Sequence, residues 1–208
     1  MRKKIKLCLK NSFAKTDNCD KINNIIMEKA AIRKVLLEKL KAQKEEIRLK
    51  KSKLIKNKLF KLKYFKEAKN IMFYLALKGE VETKEMITES LKAGKSVYVP
   101  VCNTKCKSMI PSKITSLSPR GFRLGPYGIK HPSVIKRGML KKIDLVIAPA
   151  VGFDKSLNRL GRGKGYYDSF FKKLSVHTKK IGLAFRFQIL NNLPTSSFDQ
   201  PVDKIIFA

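Results

Sequence analysis

The sequence predicts an α/β fold: three α/β/α layers with a mostly parallel sheet, preceded by amphipathic N-terminal helices. Three observations carry this. Short apolar runs rich in β-branched residues, such as Leu145-Val-Ile-Ala148, alternate with stretches of helical period. The runs are apolar throughout rather than alternating, which marks strands buried on both faces. Turn signals built on Gly and Pro separate them at short intervals.

The elements follow in order. Residues 1–26 show no clear period and are expected to form a poorly ordered basic extension, with 27–208 as a single domain. From Met27, Ile32, Leu36 and Leu40 fall on one helical face, and the period continues through Ile47, Leu54, Ile55, Leu59 and Tyr64. That predicts two amphipathic helices with a break between them. Ile71–Leu77 reads as a strand, Gly79-Glu80 as its turn, and Thr83 as the cap of a helix through Ala93. Gly94-Lys-Ser turns the chain into strand Val97-Tyr-Val99, which Pro100 is expected to stop.

From Pro111 to Pro132 the chain reads as loops or short strands, including Leu124-Gly-Pro-Tyr-Gly-Ile129. After strand 145–148, the residues Tyr166, Tyr167, Phe170, Phe171 and Leu174 recur at helical spacing, and Ile181–Phe185 is a further strand. Ligands of such sheets gather beyond the carboxyl ends of the strands. Glu80 and the glycine-rich segment before Tyr166 both follow strands, so one shared cleft is expected.

The 208 residues suffice for one core, and a hydrophobic content of 43% is ordinary for a globular chain. The net charge of +31 is not ordinary. Met1–Lys69 carries 23 Lys or Arg against 7 Asp or Glu, and Val101–Ile143 carries 10 with no acid. Such a field attracts polyanions, from nucleic acid to nucleotides and polyglutamate. Lysine dominance and core-like aromatic positions favour a solvated charge bias over a nucleic-acid surface. Cys8, Cys19, Cys102 and Cys106 form no zinc spacing and are read as free thiols. No apolar stretch approaches the ~20 residues of a membrane span. A cytoplasmic monomer is expected, although the basic N-terminus leaves an organelle-targeting arm open.

The most informative segment is Gly152-Phe-Asp-Lys-Ser-Leu-Asn-Arg-Leu-Gly-Arg-Gly-Lys-Gly-Tyr-Tyr-Asp168. Its glycines let backbone N–H groups turn toward a ligand, and Arg159, Arg162 and Lys164 would repel one another around an empty site. An anion is the natural filler, and a phosphate chain with an acid left for its metal fits best. The loop is not a Walker A motif, because Asn158 stands where the first glycine belongs and Gly165 follows Gly163-Lys164. Nor is it a dinucleotide fingerprint, because the third glycine comes one place early.

Asn158-Arg-Leu-Gly-Arg-Gly-Lys-Gly-Tyr-Tyr-Asp168 closely resembles the signature of the 5-formyltetrahydrofolate cyclo-ligase family. Lys29-x-x-x-Arg33, Tyr74–Thr83, and Leu183-Ala-Phe185 with Gln188, Pro194 and Asp199-x-Pro-Val-Asp203 resemble further segments in the same order. The resemblance spans about Met27 to Ile206. It implies ATP- and Mg2+-dependent closure of 5-formyltetrahydrofolate to 5,10-methenyltetrahydrofolate, releasing ADP and phosphate. It implies ATP contacts from Lys29, Arg33, Arg159, Leu160, Gly161, Arg162, Gly163, Lys164, Gly165, Tyr166 and Tyr167. It also implies substrate contacts from Arg33, Leu75, Glu80, Arg162, Gly163 and Lys164. Arg162 and Lys164 would be catalytic, and Asp168 and Asp199 would hold the metal.

The duller readings are an Asp168–Arg162 ion pair, Leu75 as core, Glu80 as an ordinary turn residue, and Lys29 with Arg33 as a solvated helix face. Phe198, where family members often carry a polar residue, and His131, where an acid is common, depart from the pattern. Residues 1–26 precede the usual family start, so translation from Met27 is an expectation. The acid-free lysines of 101–143 are expected to favour polyglutamylated folate. The rival classes are a basic nucleic-acid-binding protein and a folate- or nucleotide-binding relative without catalysis.

Overall fold

A computed structural model describes residues 24–125 and 128–208. The expectations for the rest of the extension, including Cys8, Cys19 and the basic arm, and for Pro126 and Tyr127, lie outside the described residues. Helix α1 occupies 24–42 and therefore includes residues 24–26 of the expected extension. After a break at 43–44 come α2 (Glu45–Lys61) and the short α3 (Lys63–Glu67). The sheet begins with β1 (Asn70–Met72), followed by α4 (Lys84–Lys92), β2 (Ser96–Asn103) and β3 (Ser108–Ile114). A small hairpin, β4 (Phe122–Leu124) with β5 (Lys130–Pro132), precedes β6 (Leu145–Ala148). A second hairpin, β7 (Gly152–Asp154) with β8 (Arg159–Leu160), leads into α5 (Tyr166–Phe171). Then follow β9 (Lys179–Ala184), β10 (Ile189–Leu190) and β11 (Lys204–Phe207).

The main sheet has the order β11-β9-β6-β1-β2-β3 and is parallel except for β3, which runs antiparallel to β2. Its strands split their apolar residues with period two. Ile71, Val97, Val99, Leu145, Ile147, Ile181 and Leu183 face a core with Ile55, Leu59, Phe65 and Ile87 from the helices. Met72, Tyr98, Val146, Ala148 and Ala184 face a second core with Phe153, Phe170 and Phe171. Both faces are covered, which is why the strands read as unbroken apolar runs.

The chain leaves β1 through α4 on the first face and leaves β6 through α5 on the second. The connections diverge there, so a crevice opens beyond the carboxyl ends of β1 and β6. This is the expected cleft.

Several local expectations are corrected. The run to Leu77 is paired only through Met72, plus one bond from Phe73 N to Tyr98 O. Tyr74–Leu77 leaves the sheet and forms a wall of the crevice, apolar because it is packed rather than paired. Pro100 does not stop its strand; it sits opposite Pro111, a pairing in which neither residue has an N–H to place. Thr83 occupies the N-cap position but donates its hydroxyl to Tyr74 O, while Glu82 Oε1 accepts from the N–H groups of Thr83 and Lys84. On α2 the buried face is Arg48, Ser52, Ile55, Lys56 and Leu59, whereas Ile47 and Leu54, and Tyr64 on α3, are exposed. Arg48 bonds Glu45 and Glu82, and Lys56 bonds Glu85 and Glu89, so partnered cations share the inner face. The helix carrying Tyr166 ends at Phe171 rather than Leu174.

Candidate functional site

The crevice is a cavity of about 510 Å³. It brings together every residue the sequence marked: Lys29 and Arg33 from α1, Leu75 and Glu80 after β1, Arg159 through Asp168, and Asp199. Sequence reasoning missed Cys102 and Met109 on the β2–β3 wall and Lys172 on the α5 side. These are single residues without a motif, visible only once the sheet order is known.

The turn that carries Glu80 is clamped from several sides. Gln43 Nε2 donates to Gly79 O at 3.1 Å, Arg48 Nη1 to Glu80 O at 2.6 Å, and Tyr74 Oη to Val81 O at 2.9 Å. Gly79 has φ +87°, and a Cβ there would lie 2.5 Å from Leu40 O, so a glycine is required. Glu80 is 7% exposed. Its Oε2 accepts from Leu77 N at 3.0 Å, and its Oε1 accepts from Arg162 Nη2 at 2.8 Å and Nε at 3.1 Å.

The glycine-rich loop is anchored at its root. Asp154, fully buried, accepts from Asn158 N and Nδ2 and from Leu193 N. Gln188 Nε2 donates to the carbonyls of Ala150 and Val151. Arg159 belongs to the β7–β8 hairpin, 6% exposed, with its guanidinium 2.9 Å from Asp168 Oδ1 and over the rings of Tyr167 and Phe171. Asp168 thus pairs with Arg159, not Arg162. Gly161 accepts from Arg33 Nε at 2.8 Å. Gly163 and Gly165 take φ +90° and +68°, and Gly165 is the N-cap of α5.

Lys29 is only 8% exposed, so this part of α1 is not a solvated face. Its ammonium lies 2.5 Å from Asp199 Oδ2, which also accepts from Ser196 N and Oγ. Burial opposes ionisation of Asp199, but the hydrogen bonds from Lys29 and Ser196 outweigh it and hold the carboxyl below its usual range. Burial also lowers the Arg33 guanidinium from its ordinary value, opposed by the charge of Asp199. The expected mutual repulsion of Arg159 and Arg162 is met by acids inside the cleft itself: Arg159 with Asp168, Arg162 with Glu80.

The arrangement suits a polyphosphate with a hard metal ion. Among the hydrogen bonds of the described residues, Asp168 uses only Oδ1 and Asp199 only Oδ2, which leaves one oxygen on each. One or two carboxylates with phosphate oxygens and water is the donor set Mg2+ prefers. Tyr167 Oη and Arg159 Nε are buried without a hydrogen-bond partner, so the cleft holds unused polar atoms beside its acids.

A profile of the 5-formyltetrahydrofolate cyclo-ligase family matches residues 25–208. The mouse 5-formyltetrahydrofolate cyclo-ligase is 31% identical over 155 residues, covering 68% of this chain and 74% of its own. The solved structure of the Aquifex aeolicus 5,10-methenyltetrahydrofolate synthetase superposes with a TM-score of 0.75 at 32% identity, covering 86% of this chain and 89% of that one. The synthetase from Mycoplasma pneumoniae gives 0.71 at 28% identity, covering 86% and 98%.

Proposed function

The chain belongs to the 5-formyltetrahydrofolate cyclo-ligase family, and on that premise we propose that its cleft closes 5-formyltetrahydrofolate to 5,10-methenyltetrahydrofolate, using ATP and Mg2+ and releasing ADP and phosphate. The observation that carries this is the convergence of the α1 cations, the Glu80 turn, the glycine-rich loop and Asp199 on one cavity.

The chemical problem is a poor leaving group. N10 of the folate can attack the formyl carbon, but the reaction stalls unless the amide-like oxygen departs. In the proposed sequence that oxygen takes the γ-phosphoryl group: its bond to phosphorus forms as the bond to the ADP oxygen breaks. N10 then bonds to the carbon and loses its proton, and phosphate leaves carrying the former formyl oxygen.

The protein's part is positioning and charge stabilisation. Glu80, aimed into the cleft with a fixed backbone, accepts from pterin N–H groups, and Leu75 packs against the ring. Arg162 belongs to the phosphate loop and pairs with Glu80, so it reaches both substrates and, with Lys164, stabilises the transferring group. Lys29, Arg33 and the N–H groups from Gly161 to Gly165 hold the triphosphate, with Tyr166 and Tyr167 closing its side. Arg159, buried under Tyr167 and Phe171, orients Asp168. Asp168 and Asp199 would hold Mg2+, which when bound neutralises phosphate charge.

Val101–Ile143, the acid-free segment, supplies Cys102, Met109 and Ile129 to the cleft wall. Its cations support a preference for the polyglutamylated substrate, which a lower KM than that of the monoglutamate at low salt would display. Among the described residues no helix is long and apolar enough to cross a membrane; a cytoplasmic monomer is part of the proposal. Mixing the protein with 5-formyltetrahydrofolate, ATP and Mg2+ should generate the methenyl chromophore, with none when ATP or Mg2+ is omitted. No product from folded protein would overturn the reading.

A further inference from the structure

Phe198 is 70% exposed, yet it lines the cleft. An exposed aromatic residue alone means little, but this one is held in place. The turn that carries it is locked at both ends: Asp199 N donates to Ser196 O at 3.1 Å, and Asp199 Oδ2 accepts from Ser196 N and Oγ. The next residue ties the turn to α5, with Gln200 N 3.4 Å from Asp168 Oδ1. Lys172, one turn beyond Asp168 on the same side of the cleft, places its ammonium 5.3 Å from the Phe198 ring centre. Lys172 covers part of the ring, and the exposure leaves the rest open to the cavity.

A fixed, open ring beside a cation is a platform for a flat aromatic ligand, because stacking buries apolar surface and the cation adds a favourable π contact. Each proposed substrate contains such a ring system. The position selects between them. Phe198 adjoins Asp199 and Lys172 follows Asp168, which places the platform beside the two carboxylates and Lys29. Glu80, proposed for the pterin with Leu75, pairs instead with Arg162 and the Leu77 N–H, and not with the Lys29–Asp199 cluster that Phe198 adjoins.

We propose that Phe198, flanked by Lys172, is the base-stacking platform of this cleft and receives the adenine ring of ATP. The proposal rests on the nucleotide reading above and adds a residue to it. Stacking of a base on an aromatic side chain carries a roughly five- to 150-fold effect on affinity.

Calorimetry separates the base from the phosphates. The full chain is titrated with ATP, with inorganic tripolyphosphate and with 5-formyltetrahydrofolate, each with Mg2+, for the parent chain and for Phe198→Ala and Phe198→Tyr. The expected result is tighter binding of ATP than of tripolyphosphate in the parent. Phe198→Ala should lose that difference while keeping tripolyphosphate affinity, and Phe198→Tyr should restore it. ATP binding unchanged in Phe198→Ala would overturn the platform and leave the nucleotide reading intact. Weakened 5-formyltetrahydrofolate binding with ATP unaffected would assign the ring to the folate and overturn the adenine placement. A parent chain that binds neither ATP nor tripolyphosphate would overturn the nucleotide reading, and the platform with it.

Discussion

Arg162 sets its guanidinium on Glu80, with Nη2 at 2.8 Å and Nε at 3.1 Å from the same carboxylate oxygen. The contact ties the glycine-rich loop to the turn after β1, across 82 residues of sequence. It also joins the residue proposed for the pterin to one proposed for the phosphoryl group. A folate that takes the Glu80 carboxylate must share or displace Arg162, which is then available to the phosphate.

Arg162→Ala should therefore lower kcat by about 10²–10³, the usual loss for one electrostatic contact to a transition state. Glu80→Gln should raise the KM for 5-formyltetrahydrofolate more than that for ATP. Their effects should not add in the double variant, because the two side chains touch. Steady-state kinetics on the four proteins of the cycle measure this, and strict additivity would mean the contact is incidental.

Lys29 and Asp199 make the corresponding contact on the other side of the cleft. Lys29→Met should raise the KM for ATP and increase the Mg2+ concentration needed for half-maximal rate. A change confined to the folate KM would place Lys29 on the wrong substrate.

The loop's shape depends on glycine at two positions. Gly163 and Gly165 have φ +90° and +68°, a region that costs an L-residue roughly 1–2 kcal/mol. Gly163→Ala and Gly165→Ala should each lower Tm by several degrees, at about 2–4 °C per kcal/mol for a domain of this size. They should also lower kcat. Gly182→Ala serves as a comparison outside the loop: its Cβ would lie 2.4 Å from Phe153 Cζ in the core, and overpacking there costs about 1–3 kcal/mol. Thermal melts with kinetics on all three separate loop shape from stability.

Cys102 and Cys106 should differ as thiols. Burial pushes the Cys102 thiol up, so its thiolate fraction near neutral pH is smaller than that of an ordinary cysteine. Cys106 is exposed. Peptide mapping after iodoacetamide treatment at pH 7.5 should show Cys106 modified first, and raising the pH should speed Cys102, since the thiolate is the reactive form. Equal rates at pH 7.5 would contradict the burial of Cys102.

Much of this site was legible in the sequence because it is concentrated. Arg159 to Asp168 is one continuous motif, and its strand-to-helix setting put it at the sheet's carboxyl edge. The remainder was hidden where a local pattern has two physical meanings. Tyr74–Leu77 is as apolar as a strand, but packing rather than pairing explains it. Lys29 sits at a position that reads as solvated until Asp199, 170 residues away, is brought against it. The inner face of α2 carries Arg48 and Lys56, which hydropathy assigns to solvent and which only their carboxylate partners bring inside. Phe198 and Lys172 are adjacent only in the fold, so no spacing rule could pair them.

The fate of the formyl oxygen tests the central claim most directly. 5-Formyltetrahydrofolate labelled with oxygen-18 at the formyl group would be converted with ATP and Mg2+, and the phosphate analysed by mass spectrometry. Phosphorylation of that oxygen predicts one labelled atom in each phosphate released, in step with methenyl product. Unlabelled phosphate accompanying full product formation would contradict it.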